Sequence, residues 1–241
     1  MWTMMKDVHE EHVTQPEATR RVIRSFVVRA GRATAAQQRA LTELWPTYGI
    51  EYTAGPLDLD RAFGRSAPRM LEIGFGAGEA LLAFAKANPQ IDCLGIEVHP
   101  PGVGHLLLET HAAGLSNVRI VCHDAVEVLK NQLAAASIAI AHIFFADPWP
   151  KKRHHKRRLI QPEFVELLAR AMQTDGILRL ATDWEHYAQH MLAVLDASAH
   201  FKNCSAGDGF VERTDARPLT RFERRGQRLG HSVWDLQYRK M

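Results

Sequence analysis

The chain has 241 residues, 46% of them hydrophobic and 24% charged, with a formal net charge of +3. That suits one globular domain with a sizeable core, and no apolar run approaches the ~20 residues that a membrane-spanning helix needs. Three scattered cysteines, Cys93, Cys122 and Cys204, form neither a CxxC pair nor a disulfide framework and read as small core residues.

Residues 1–33 are polar and charge-rich, with a basic cluster from Arg20 to Arg29, and read as a partly disordered N-terminal arm. Their opening, MWTMMKDVHEEHV, lacks the apolar centre of a signal peptide, so the expected compartment is the cytoplasm. The rest, 34–241, reads as one domain. Ala35 to Leu44 has helix-forming composition and stops at Trp45-Pro46. Gly49 to Arg65 reads as a loop with one short helix over Leu59 to Phe63.

From Pro68 the pattern becomes strand, turn, helix, repeated. Strands are expected over Arg69 to Ile73, Cys93 to Glu97, Val118 to Cys122, Ile138 to Ala146 and Gly176 to Ala181. Helices are expected over Glu79 to Lys86, Gly102 to Ala113, Ala125 to Ala135, Pro162 to Met172 and Glu185 to Ala197. The alternation implies a parallel sheet with right-handed crossovers. Ser232 to Tyr238 alternates apolar and polar residues and reads as an added edge strand.

Leu71 to Gly78, LEIGFGAG, follows the first of these strands and opens a helix. Its glycines, Gly74, Gly76 and Gly78, stand as G-x-G-x-G, which differs from the G-x-G-x-x-G of dinucleotide binders. Glu72 precedes the first glycine; Glu97 lies 19 residues after Gly78, at the end of the second strand; Asp124 follows the third. A carboxylate at Glu97 can accept from both hydroxyls of a ribose, and one at Asp124 from an adenine amino group. Acids on three successive strand ends would repel a pyrophosphate. They suit a ligand carrying an adenosine and a cationic centre, such as S-adenosylmethionine.

The last expected crossover begins with FFADPWPKKRHHKRR, Phe144 to Arg158. Asp147 is placed at a strand end, and Pro148 and Pro150 stiffen the loop that carries it. Trp149 either stacks on a base or packs beneath the loop. Lys151 to Arg158 holds six Lys or Arg and no acid. Directly after a candidate catalytic loop, that run reads as a grip on an RNA backbone by Arg153, Lys156, Arg157 and Arg158, with His154 and His155 among them. Those two histidines are adjacent, not at metal-ligand spacing, and no metal is expected. Arg213 to Lys240 is a second basic region, with eight Lys or Arg against three acids.

Together with Glu97 and Asp124, the LEIGFGAG turn and the ADPWPKKRHHKRR run resemble the bacterial tRNA (guanine-N7-)-methyltransferase family. Thr220-Arg221-Phe222-Glu223 is similar to that family's Thr-x-Phe-Glu motif. The likeness covers roughly Arg24 to Tyr238. It implies a Rossmann-like class I methyltransferase fold, a doubly wound, mostly parallel seven-stranded sheet with an antiparallel edge strand. It implies transfer of a methyl group from S-adenosylmethionine to N7 of a guanine, guanine 46, in the tRNA variable loop. It further implies cofactor contacts by Glu72, Glu97, Asp124 and Asp147, and tRNA or guanine contacts by Lys151, Asp183 and Thr220 to Glu223. Asp147 is the expected catalytic group. Another RNA-base or exocyclic-amine methyltransferase is the alternative, since Asp-Pro-Trp-Pro is similar to the Asp/Asn-Pro-Pro-aromatic loop of amine methylators. The assembly is expected to be a monomer or a homodimer.

Overall fold

The structure is a computed structural model that describes residues 24–27, 31–213, 218–219, 223 and 232–241. The first helices are α1 (Ala35–Glu43), α2 (Trp45–Tyr48) and α3 (Leu59–Phe63), with the two-residue strand β1 (Gly49–Ile50) between the second and third. The alternating part follows as β2 (Arg69–Ile73), α4 (Glu79–Ala87), β3 (Asp92–Ile96), α5 (Pro100–Ala112), β4 (Val118–Val121), α6 (Ala125–Asn131) and β5 (Ile138–Phe144). A 3-10 helix (Lys152–Arg157) leads into α7 (Pro162–Ala171), β6 (Met172–Thr182) and α8 (Glu185–Asp196). Two strands close the order, β7 (Phe201–Asn203) and β8 (Trp234–Lys240).

The strands form one eight-stranded sheet in the order β1-β4-β3-β2-β5-β6-β8-β7. All pairs from β1 across to β6 are parallel, and β8 runs antiparallel to both of its neighbours. The doubly wound, mostly parallel plan is the expected one, with two corrections. The count is eight, because Gly49–Ile50, expected within a loop, pairs with the outer side of β4. The antiparallel strand is not at the edge, because β7 covers it.

Side chains alternate between the two faces of the sheet with period two. Met70, Cys93 and Ile120 point into a cluster with α1, α4 and α5. Leu71, Leu94 and Val121 point the opposite way, into the larger cluster with α3, α6, α7 and α8. Cys93 is buried in the first of these clusters, Cys122 half-buried and Cys204 exposed, so the core reading does not extend to Cys204. Local signals set the helix starts: a capping box of Thr34 and Gln37 opens α1, Asp124 caps α6, and Pro162 occupies the first turn of α7. Among the described residues no helix is long and apolar enough to cross a membrane.

Candidate active site

The sheet changes direction of winding between β2 and β5. Loops leaving the carboxyl ends of the strands on either side must diverge there and open a crevice. The crevice consists of two hollows of about 330 and 400 Å³ that share Gly74 and Phe145. The first is walled by Glu97, Asp124 and Asp147; the second by Glu72, Gly76 and Glu79.

The glycine turn is held from several sides. Gly74, Gly76 and Gly78 take φ of 72°, 58° and 80°, the left-handed region that side chains resist. The Gly74 N–H donates to the Ile96 carbonyl at 2.8 Å, fixing the turn to β3. The first turn of α5 presses on it from above: a Cβ on Gly102 would lie 2.1 Å from the Gly76 carbonyl oxygen. His105 donates from Nδ1 to the Ala77 carbonyl at 3.0 Å. Gly102 escapes a motif search. The signal available for it is a glycine in the opening turn of a helix, which marks a close approach of backbones.

Glu97 is held ready. Its Oε2 accepts the Gly76 N–H at 2.8 Å, and its Oε1 accepts the Val98 and His99 N–H groups at 2.6 and 3.0 Å. Three fixed donors orient the carboxylate and leave about one of its roughly four lone-pair sites, on Oε2, for a hydroxyl donor of a ligand. Asp124 uses Oδ1 to cap α6, accepting the Val126 N–H at 3.0 Å. Burial pushes its pKa above the ordinary value, and that backbone bond partly offsets the rise.

Glu72 is different in kind. It sits in mid-sheet beside the buried His142 of β5, and burial pushes its pKa up to about 8. Its Oε2 has no hydrogen-bond partner among the described residues. A buried carboxyl facing a hollow with a bare oxygen is suited to meet a cationic or N–H donor there.

Asp147 is exposed on the rim of the first hollow. The loop bearing it is strained: Phe145 and Trp149, both bulky, take positive φ of 54° and 46°. Such conformations persist where the surroundings over-determine them, and they concentrate at functional sites. Trp149 packs. Its Nε1–H donates to the Ser25 carbonyl at 2.9 Å, and the Arg157 guanidinium lies 5.0 Å over its ring. The segment it holds, Ser25 to Val27, forms part of the wall of the first hollow. Those three residues lie within the arm expected over 1–33.

The basic run divides. Lys151 precedes the 3-10 helix and is exposed, as are Lys152, Arg153 and Lys156, while His154, His155 and Arg157 are half-buried. Arg158 is the correction: it is 2% exposed, and its guanidinium faces inward, so it is not placed to grip a phosphate. Asp183 follows β6 directly, and Ala181 pairs with Phe144, so Asp183 and Asp147 leave adjacent strands at the same end of the sheet. Glu223 is buried, with Oε1 at 3.3 Å from Arg213 Nε. Thr220, Arg221 and Phe222 lie outside the described residues. Among the described residues no three His, Cys, Asp or Glu side chains group as a metal site would.

A family model described as "Putative methyltransferase" matches residues 66–236. The tRNA (guanine-N(7)-)-methyltransferase of Leifsonia xyli subsp. xyli (strain CTCB07) is 58% identical over 218 residues, 90% of this chain and 96% of that protein. Its namesake from Yersinia pestis (strain Pestoides F) is 52% identical over 237 residues, 98% and 99% of the two chains. The crystal structure of a SAM-dependent methyltransferase from Aquifex aeolicus superposes with a TM-score of 0.52 at 14% identity, covering 76% of this chain and 88% of that one, a likeness of fold.

Proposed function

The chain belongs to the tRNA (guanine-N7-)-methyltransferase family, and on that premise we propose that the crevice carries methyl transfer from S-adenosylmethionine to N7 of the variable-loop guanine of tRNA. The observation that carries the reading is the place of Asp147, between a hollow rimmed by acids and a helix of exposed cations. S-adenosylmethionine, when bound, supplies a methyl group on a positively charged sulfur. The residues present fit such a ligand. Glu97 offers a fixed carboxylate for a ribose hydroxyl, Asp124 an acceptor for an adenine amino group, and Glu72 an unpartnered oxygen for a cation or amine.

Guanine N7 has a free lone pair and needs no deprotonation, so the site requires no strong base. Its main task is alignment, worth up to roughly 7–11 kcal/mol in the best-oriented systems. The guanine gains positive charge as its N7 is methylated. Asp147, accepting from the base's N1–H or amino group, then holds the product-like state more firmly than the starting one. Asp183, on the neighbouring strand end, is the second acceptor we assign to the same base. Lys151, Arg153 and Lys156 hold the surrounding phosphates. Each phosphate neutralised releases counterions and makes binding salt-dependent. The expected place of work is the cytoplasm.

Incubation with bulk tRNA and labelled S-adenosylmethionine, followed by borohydride–aniline cleavage, tests the reading. The chain breaks at 7-methylguanine, so one lane reports reaction, atom and site. Label in tRNA without cleavage would move the product methyl elsewhere and favour an amine methylator. Asp147→Ala is expected to lower turnover by at least ~100-fold while tRNA binding persists; near-parent turnover refutes its role.

A further inference from the structure

We infer that Arg158 is a positioning residue for Asp147, acting through the carbonyl of Pro148, and not part of the RNA grip. The inference rests on the role given to Asp147 above. The guanidinium of Arg158 is enclosed by three groups. Its Nε–H donates to the Pro148 carbonyl at 2.9 Å, its Nη2–H donates to His186 Nδ1 at 3.1 Å, and its plane lies 5.0 Å over the ring of Tyr187. Tyr187 is fully buried on α8, and its hydroxyl accepts the Ile160 N–H at 3.3 Å. Pro148, the residue after Asp147, is thus tied through one side chain to a helix rooted in the core.

Two features say that this tie serves the loop. First, no carboxylate neutralises the guanidinium through these contacts, and Nη1 has no hydrogen-bond partner among the described residues. A buried cation so poorly compensated is a weak device for stability. Second, the loop needs restraint. Phe145 and Trp149 bracket Asp147 at positive φ. Upstream, the Phe145 N–H is bound to the Ala181 carbonyl at 2.8 Å. Downstream, Trp149 is held to Ser25, and Arg158 holds the carbonyl between. Without it the Pro148–Trp149 peptide is free to turn, and the carboxylate of Asp147 swings with it.

The test separates this role from a phosphate contact by splitting turnover from binding. Arg158→Lys keeps the charge and removes the fork. Its kcat at saturating tRNA is expected to fall at least tenfold, with the Kd for tRNA, its salt slope and the Kd for S-adenosylmethionine within twofold of the parent. A parent-like kcat, or a loss confined to tRNA affinity, overturns the inference. Should that variant not fold, His186→Ala decides. It removes one of the guanidinium's two hydrogen-bond partners and is expected to lower kcat about threefold without weakening tRNA binding, and an unchanged kcat overturns the inference. Parent and Asp147→Ala proteins run alongside. An inactive parent or an active Asp147→Ala protein removes the premise, whatever Arg158 does.

Discussion

Replacing Glu72 by glutamine tests whether the bare oxygen in the second hollow is a cation receptor. With its pKa near 8, Glu72 is about nine-tenths protonated at pH 7 in the ligand-free protein. A cationic ligand prefers the carboxylate, so binding must draw off the proton. Affinity then rises with pH until the group is ionised. From a pKa of about 8, the Kd for S-adenosylmethionine should tighten roughly twentyfold between pH 6 and 7.5. Below 7.5 an ordinary α-amino group stays largely charged, so the ligand contributes little to the trend. Calorimetry in buffers of different ionisation enthalpy should register about 0.9 proton released per site at pH 7. Glu72→Gln should bind more weakly at pH 7.5, release no proton, and lose the pH trend. S-adenosylhomocysteine, which keeps the amine and lacks the sulfonium charge, reports which of the two the carboxylate meets. A parent Kd that is flat with pH, with no proton release, would refute the reasoning. The same shift bears on stability. The folded chain holds a proton that the unfolded chain gives up near 4.5, so ligand-free stability falls as pH rises from there through about 8. The loss is at most about 5 kcal/mol, and Glu72→Gln should remove it, seen as unfolding midpoints of variant and parent that diverge with rising pH.

Gly102→Ala sets a methyl group against the Gly76 carbonyl, so the glycine turn or α5 must shift. It is expected to cost about 1–3 kcal/mol of stability and to weaken S-adenosylmethionine at least tenfold; a titration matching the parent would disprove the contact's role. Arg153→Gln with Lys156→Gln removes two exposed cations. The slope of log affinity for tRNA against log salt should flatten by roughly one to two, with S-adenosylmethionine affinity untouched, and an unchanged slope would remove both residues from the RNA face.

Much of the alternating region was legible because β2, β3 and β4 are almost wholly buried and so read as apolar runs, and because α4 stops at Asn88-Pro89 and α5 just before Gly114. The errors fall where long-range pairing decides. Gly49–Ile50 is too short to show alternation and is a strand only because β4 offers it an edge. The strand expected from Gly176 begins at Met172, but Asp175 takes a φ of 63° and the pairing with β5 shifts register there. A bulge of that kind keeps pairing on both sides of a Thr-Asp-Gly that reads locally as a turn. Residues Ser232 to Tyr238 announce a strand but not its neighbours; β7 is short enough to pass unnoticed and takes the edge.

The basic run shows the same limit in two turns of 3-10 helix. Composition makes Lys151 to Arg158 a single cationic patch. A 3-10 helix has three residues per turn, so residues three apart share a face, and that sorts the run. His154 and Arg157 form one face, and both meet Trp149, the first edge-on at 5.7 Å and the second over the ring. His155 and Arg158 form the second, and both meet His186 of α8, at 4.9 Å between rings and 3.1 Å to Nδ1. Arg153 and Lys156 form the third, which is exposed. One face holds Trp149, which anchors the segment walling the first hollow, one holds the loop of Asp147, and the third is open to solvent. Under the proposed function, the run is a joint between the cofactor's site and the RNA's. Salt dependence should follow Arg153 and Lys156, and turnover should follow Arg158.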